Sequence, residues 1–419
     1  MDKVLNSGQT PKNVRTTRFR QHFAKSPFSY LRTMLIELFR LRLPMFFRML
    51  LVFWVLAGCS EDEPEPAPLI PEVNFTAFGN TGFEEIQMDV NSMEENPRIT
   101  SLSEELGLVD LPFFRRDVDN ASVGYYFWQD QRSSARYKDL DSEALSLVDD
   151  VCDFSTENIP ERVIRRVSGN ESYVVMPYAE FPEGSPAEFA LRILEKATGQ
   201  CRDLQVTGIQ ASGIENYSIE GNLLGLYYLE AGSGDPLITL IDLSTGTIEE
   251  TLILQENFQA ATFRGSELWI FNRDESYLIY NTQSGNFIRN GTAPGLPAQG
   301  PGMFDSRFTG NQLQVRYIYQ QPSLFFAQPA VYDFDQGALT EGSEPYLPEL
   351  QARIEQETGD RVLFGNFASD LTTGTIALIY VRGNGAAEGG VVLTNFDLEW
   401  RQIIPLPNVP EELEIRDVR

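Results

Sequence analysis

From about residue 120 to the C-terminus one pattern recurs: an apolar strand runs into a turn, and a second strand leaves it. The copies read ARYKDLDSEALSLV, LRILEKATGQCRDL, ITLIDLSTGTIEETL, YLIYNTQSGNFI, AVYDFDQGAL and VVLTNFDLEWRQIIPL. Four place a glycine at the same point: Gly199, Gly246, Gly285 and Gly337. Ser142 and Glu399 stand there in the other two. A glycine supplies the positive φ that a bulged hairpin needs. Asp242, Asn281 and Asp333, four residues earlier, are placed to bond the turn's backbone.

The turns lie 39 to 62 residues apart. A repeat near 50 residues with several strands each is the signature of a β-propeller. Upstream of the turns lie further strands, VGYYFWQD, SYVVMPYAEF, LLGLYYLEA, ELWIFNRD, QLQVRYIYQQ and TIALIYVRG, rich in Tyr, Phe, Val and Ile. The expectation is an all-β chain with a six-bladed propeller over residues 73–419. A pair of long β-sandwiches would explain the strands but not their repeated order. Closure of the ring would pair the terminal EIRDVR (Glu414 to Arg419) with FFRRDV or VNFTAF near the domain's start, removing two open sheet edges. One stretch departs from the pattern. PELQARIEQETGD has a proline at its start, Leu350 and Ile354 four apart, and Gly359 as a stop, so it predicts a short surface helix near 348–358. Such a helix decorates a loop or forms a partner-binding insertion.

The N-terminal part obeys other rules. The apolar run Met49 to Ala57 is shorter than the roughly 20 residues a membrane span needs, but suits a signal-peptide core. Arg40, Arg42 and Arg48 precede or border it. Leu56-Ala57-Gly58-Cys59 resembles a bacterial lipobox, in which the peptidase reads the residues before the cysteine. The resemblance implies cleavage after Gly58 and acylation of Cys59, with palmitate-type chains. A buried apolar helix with an incidental cysteine is the alternative. Residues 1–58 then form leader and signal peptide, with Met45 or Met34 as the expected start. Residues 59–72 form an acidic, proline-rich tether that cannot bury apolar surface. Ser60 after the cysteine is associated with outer-membrane sorting. Glu61-Asp62-Glu63 resembles the export signal of surface lipoproteins of the Bacteroidota. The expected location is the outer membrane, lipid-anchored and exposed at the cell surface, with a periplasm-facing form as the alternative.

Composition narrows the chemistry. The chain has 33 Lys and Arg against 60 Asp and Glu, and residues 59–419 alone carry a formal charge of −35. That excludes nucleic-acid binding through a basic patch. The only histidine, His22, lies in the leader. Ser-His-Asp and Cys-His catalysis are therefore absent from the mature chain, as is histidine ligation of a metal. Cys152 and Cys201 either form a disulfide in an oxidising compartment or remain buried thiols.

A lipobox, an acidic tether and aromatic-rich blades together resemble the six-bladed, TolB-like propeller lipoproteins of the Bacteroidota. GLPAQGPGMF (Gly295 to Phe304) is similar to a G-P-G-x-F loop common among them, keeping Gly300, Pro301, Gly302 and Phe304. The resemblance implies the fold and the location. It carries no reaction.

The expected function is a non-catalytic binding or protein-interaction module, attached to the membrane through its acyl chains and recognising a glycan or an envelope protein. Tyr227, Tyr228, Trp269, Tyr317 and Tyr319 are the candidates for stacking on a ligand; the alternative places them in blade cores. A second reading is a histidine-free, carboxylate-dependent glycan hydrolase, which needs only two acids at the right separation. A third is a metal-dependent lactonase. No cofactor is implied. A lactonase-like Ca2+ site would need Glu, Asn and Asp on channel-facing strand ends, with Asn272, Asp274 and Asn311 as trial ligands, and a structural Ca2+ is the one other ion worth testing, although no loop has EF-hand spacing.

Overall fold

Seven small antiparallel sheets are arranged as the blades of a β-propeller in the computed structural model. It describes residues 70–419 apart from 83, 109–113, 120–121, 141–149, 158, 160, 305–306 and 384–387. The leader, Leu56 to Cys59 of the lipobox and the tether through Leu69 lie outside the described residues, as does Ser142.

Blades 3 to 7 each run from an innermost strand outward. Blade 4 is the plainest: Ile209–Glu220, Leu223–Glu230, Pro236–Asp242 and Thr247–Ile253 pair in that order. Blade 2 has three described strands, Phe114–Asp119, Ser122–Gln129 and Arg132–Asp139. Blade 1 is assembled from both ends of the domain. Pro410–Val418 is its innermost strand and pairs with Val73–Asn80, followed by Glu85–Asn91 and Arg98–Ser101. Of the two expected partners for the terminal strand, VNFTAF is the one used; FFRRDV contributes the innermost strand of blade 2 instead.

The blade count corrects the expectation of six. Each repeated turn that the structure describes is the hairpin between the third and the outermost strand of a blade. The matching turn of blade 1, Ser92 to Pro97, contains no glycine, and that blade's fourth strand comes from the far end of the chain. Neither half looks like a repeat alone.

Where the glycines occur, the turn chemistry is as the sequence implies. Gly199, Gly246, Gly285 and Gly337 have φ of 67°, 69°, 62° and 63°. Asp242 accepts from Ser244 N at 2.7 Å and Thr245 N at 3.3 Å, and Asn281 and Asp333 accept in the same way. The register slips by one residue beside the turn in blades 4, 5 and 6, which is the bulge. In blade 7 the left-handed position falls on Leu398, φ 56°, one residue before Glu399.

Seven apolar clusters fill the seven junctions between neighbouring blades. Phe75, Met88 and Ile415 of blade 1 meet Ile379 and Leu393 of blade 7, so the ring is sealed where its ends meet. Phe78, Leu102, Val123 and Tyr125 seal the next junction. The helix Leu347–Thr358 buries Leu347, Leu350 and Ile354 in the cluster between blades 6 and 7. Pro348 opens it, and Gly359 ends it at φ 74°. A disulfide joins Cys152, in the segment before blade 3, to Cys201 on that blade's outermost strand. Among the described residues no helix is long and apolar enough to cross a membrane.

Candidate functional site: the central channel and its apolar mouth

The innermost strands surround a channel of two joined cavities, of about 590 and 460 Å3. Val118, Arg316, Phe367 and Glu414 line both. Three strands descend in the same order. The first cavity meets Arg116 to Val118, Phe364 to Phe367 and Glu412 to Glu414. The second meets Val118, then Phe367 to Ser369, and Glu414. The starts of these strands therefore mark the mouth, and their ends lead inward. Blade 6 leaves room there because its innermost strand, Phe308–Thr309, has two residues. Its second strand, Gln312–Ile318, faces the channel in its place.

The mouth has an apolar lip. The segment after Ile318 turns back through Pro322 and places Phe325 inward against Tyr319 and Phe364, with ring centroids 5.5 and 6.3 Å apart. Alternation then turns its neighbours outward, leaving Leu324 86% and Phe326 71% exposed. Ile318, paired with Ala327 next to Phe326, is 37% exposed.

Below the lip the wall is charged. Arg116 donates to Glu85 at 2.5 Å and Glu411 at 2.7 Å, and lies 3.7 Å from Glu412. Burial works against its charge, but Glu85 and Glu412 outweigh burial and raise its pKa. Burial pushes the Glu412 carboxyl up, against the pull of Arg116. It does the same to Asp117, although Val167 N donates to Asp117 at 3.0 Å. Deeper in, Arg307 is ion-paired with Glu414, and Gln314 donates to Ser369 Oγ at 2.5 Å. Arg316 differs from these. Its guanidinium lies 5.6 Å from the centre of the Phe367 ring, and it forms no ion pair with a described residue.

The glycine-rich segment narrows the channel on the far side. Gly302–Met303 adds as a parallel strand inside Phe258–Arg264, and Met303 N donates to Asn216 at 2.8 Å. Gly302 has φ 118°, and a Cβ there would fall 2.5 Å from the Asn216 amide. Only glycine fits this contact.

The stacking candidates are placed elsewhere, which corrects that expectation. Tyr227 and Tyr228 are buried in blade 4, with Tyr227 5.4 Å from the Phe258 ring and Tyr228 bonded to Thr239. Trp269, 1% exposed, is enclosed by Tyr277, Phe308 and Phe334. Tyr319 is buried and bonded to Gln328, and the half-buried Tyr317 meets it edge-on at 5.7 Å. These rings fill junctions between blades, where their large area contributes most to stability. The lip aromatics escaped notice because a loop carries no repeat signal. The cue available was Leu-Phe-Phe directly after a Pro-Ser turn.

Asn272 and Asp274 sit at a hairpin turn, both engaged by Ser276, and Asn311 binds Arg264 and Asp335 at another. They do not converge. Among the described residues no group of three Asp, Glu, Cys or His side chains is placed to hold a metal ion.

No protein-family model matches the chain, and no curated protein is similar to it. Among solved structures, a candidate 6-phosphogluconolactonase of Bacteroides fragilis is similar at 14% identity over 84% of this chain and 100% of its own, with a TM-score of 0.41. A protein from Lactobacillus plantarum gives 13% identity over 83% and 100%, TM-score 0.41. Apo AztD from Citrobacter koseri gives 8% over 84% and 99%, TM-score 0.41.

Proposed function

We propose that this chain is a lipid-anchored cell-envelope propeller that binds a partner or ligand at the mouth of its channel without transforming it. The observation that carries the reading is the cavity of about 590 Å3 under an exposed apolar lip. Pockets of this size commonly take ligands, and contiguous exposed apolar side chains mark interaction sites. Anchoring follows from Leu56-Ala57-Gly58-Cys59 and the acidic residues after it.

Topology supports one orientation. Val73, the start of the first strand, pairs with Val418 at the end of the closing strand. The mouth lies at that strand's beginning, beside Glu412. The first strand thus starts at the face opposite the mouth, so the chain that precedes it joins the propeller away from the binding surface.

The test places a photo-crosslinking amino acid at Phe326 in cells, with Glu249 on the outer edge of blade 4 as control. Adducts formed from position 326 and not from 249 are expected. Equal adducts from both, or none from 326, would reject the mouth as the binding surface.

A second reading has one observation in its favour. Asp117 and Glu412 are neighbouring channel acids that burial pushes up, the condition for a carboxyl acting as general acid. Turnover of aryl glycosides or lactones abolished by both Asp117→Asn and Glu412→Gln would replace the binding reading with this one.

A further inference from the structure

The arginines of the channel are not equivalent. Arg116 is held by Glu85, Glu411 and Glu412, and Arg307 by Glu414. Arg316 is exposed within the wall, lines both cavities, and is pinned over Phe367 with no carboxylate from the described residues. Its backbone is fixed as well, accepting from Gln299 Nε2 and donating to Gln299 Oε1, each at 3.4 Å. A guanidinium beside a ring and free of carboxylates has N–H groups to offer a planar oxyanion. The same cavity is lined by Leu324 and Phe326 of the lip, both largely exposed. The site therefore has a cationic floor and an apolar rim, in that order from the inside.

Resting on the reading of the mouth as a binding site, we propose that its ligand is an amphiphilic carboxylate, with the head on Arg316 and the apolar chain along Leu324 and Phe326. The order of the two parts sets the ligand's direction: it enters head first and leaves its tail at the rim. The acids nearby do not cancel this. Glu414 is committed to Arg307 and Glu412 borders Arg116, while Asp117 takes the Val167 N–H. Asp117 and Glu412 line the same cavity. A cationic head is the rival occupant, because the same two acids could receive it.

The experiment uses membranes containing the full chain, and two photoactivatable probes of equal length: a diazirine dodecanoate and a diazirine dodecylamine. Labelled peptides are mapped by mass spectrometry. The carboxylate should label the segment around Leu324 to Phe326 and be competed by unlabelled dodecanoate. Arg316→Gln should raise the half-saturating concentration about tenfold or more, the effect of losing one charged hydrogen-bond partner. Leu324→Ser with Phe326→Ser should weaken the labelling that remains at Phe364 to Phe367, which line the same cavity. Both changes are at exposed positions, and an unchanged unfolding midpoint checks that the blades are intact. The proposal is overturned if Arg316→Gln leaves carboxylate labelling unchanged, or if the amine labels the mouth better than the carboxylate. It is overturned too if neither probe labels the mouth. In that last case, crosslinks from position 326 to an envelope protein would leave the binding reading standing.

Discussion

Single side chains hold the turns and the channel in shape. Desolvation pushes the Asp242 carboxyl up, but hydrogen bonds from Ser244 and Thr245 outweigh it and hold the group below its ordinary value. A folded pKa below the unfolded one adds stability that is present above about pH 4 and lost as pH falls through the folded value. Asp242→Ala should therefore lower the unfolding midpoint at neutral pH, and the difference from wild type should close in acid. A gap that persisted in acid would place the effect outside the carboxylate's charge. Gly302 is the more severe case. An alanine there meets both a left-handed φ and the Asn216 amide, so Gly302→Ala should cost about 1–3 kcal/mol in denaturant unfolding. These glycine turns were legible because φ leaves a mark on residue type. Leu398 shows the limit: the same conformation on a leucine leaves no mark, and the sequence points one residue too far, to Glu399.

Strands and their connections divide in the same way. Second and third strands were readable because burial on both faces demands runs such as LLGLYY and ALIYV. Tyr227, Tyr228, Trp269 and Tyr319, in or beside these strands, could face a ligand or a blade core, and blade-to-blade packing takes nearly all of their surface. Ring type alone does not say whether an aromatic residue faces a ligand or a neighbouring sheet. The lip is the reverse case, since its exposure comes from a hairpin whose course no periodicity describes. The segment before blade 3 is held by its bridge: Cys152 and Asp153 have φ of 58° and 51°, and the disulfide reaches across to Cys201. Replacing both cysteines by serine should lower stability by about 2–4 kcal/mol. Equal unfolding midpoints for the oxidised protein and the double variant would show that the blades hold this segment unaided.

At the scale of the whole molecule, the fold class was legible and the count was not. Six turns announced six blades, while the seventh is divided between residues 73–101 and 410–418. Its evidence exists only when the two ends are read together. The closing strand buries Leu413 and Ile415 and covers an edge of Val73–Asn80 that would otherwise lie open. A chain ending at residue 409 should lose cooperative unfolding and associate through that edge. A monomeric truncation with a single sharp transition would show that the other six blades suffice.

That same strand sets a timetable. The first strand of the domain waits for a partner made only after the six other blades, so the ring stays open on a chain synthesised short of residue 410. Contacts between such distant parts of a chain are also the slow ones to form. A protein built in this way can finish folding only once its closing strand has been made, and until then its first strand presents an open edge.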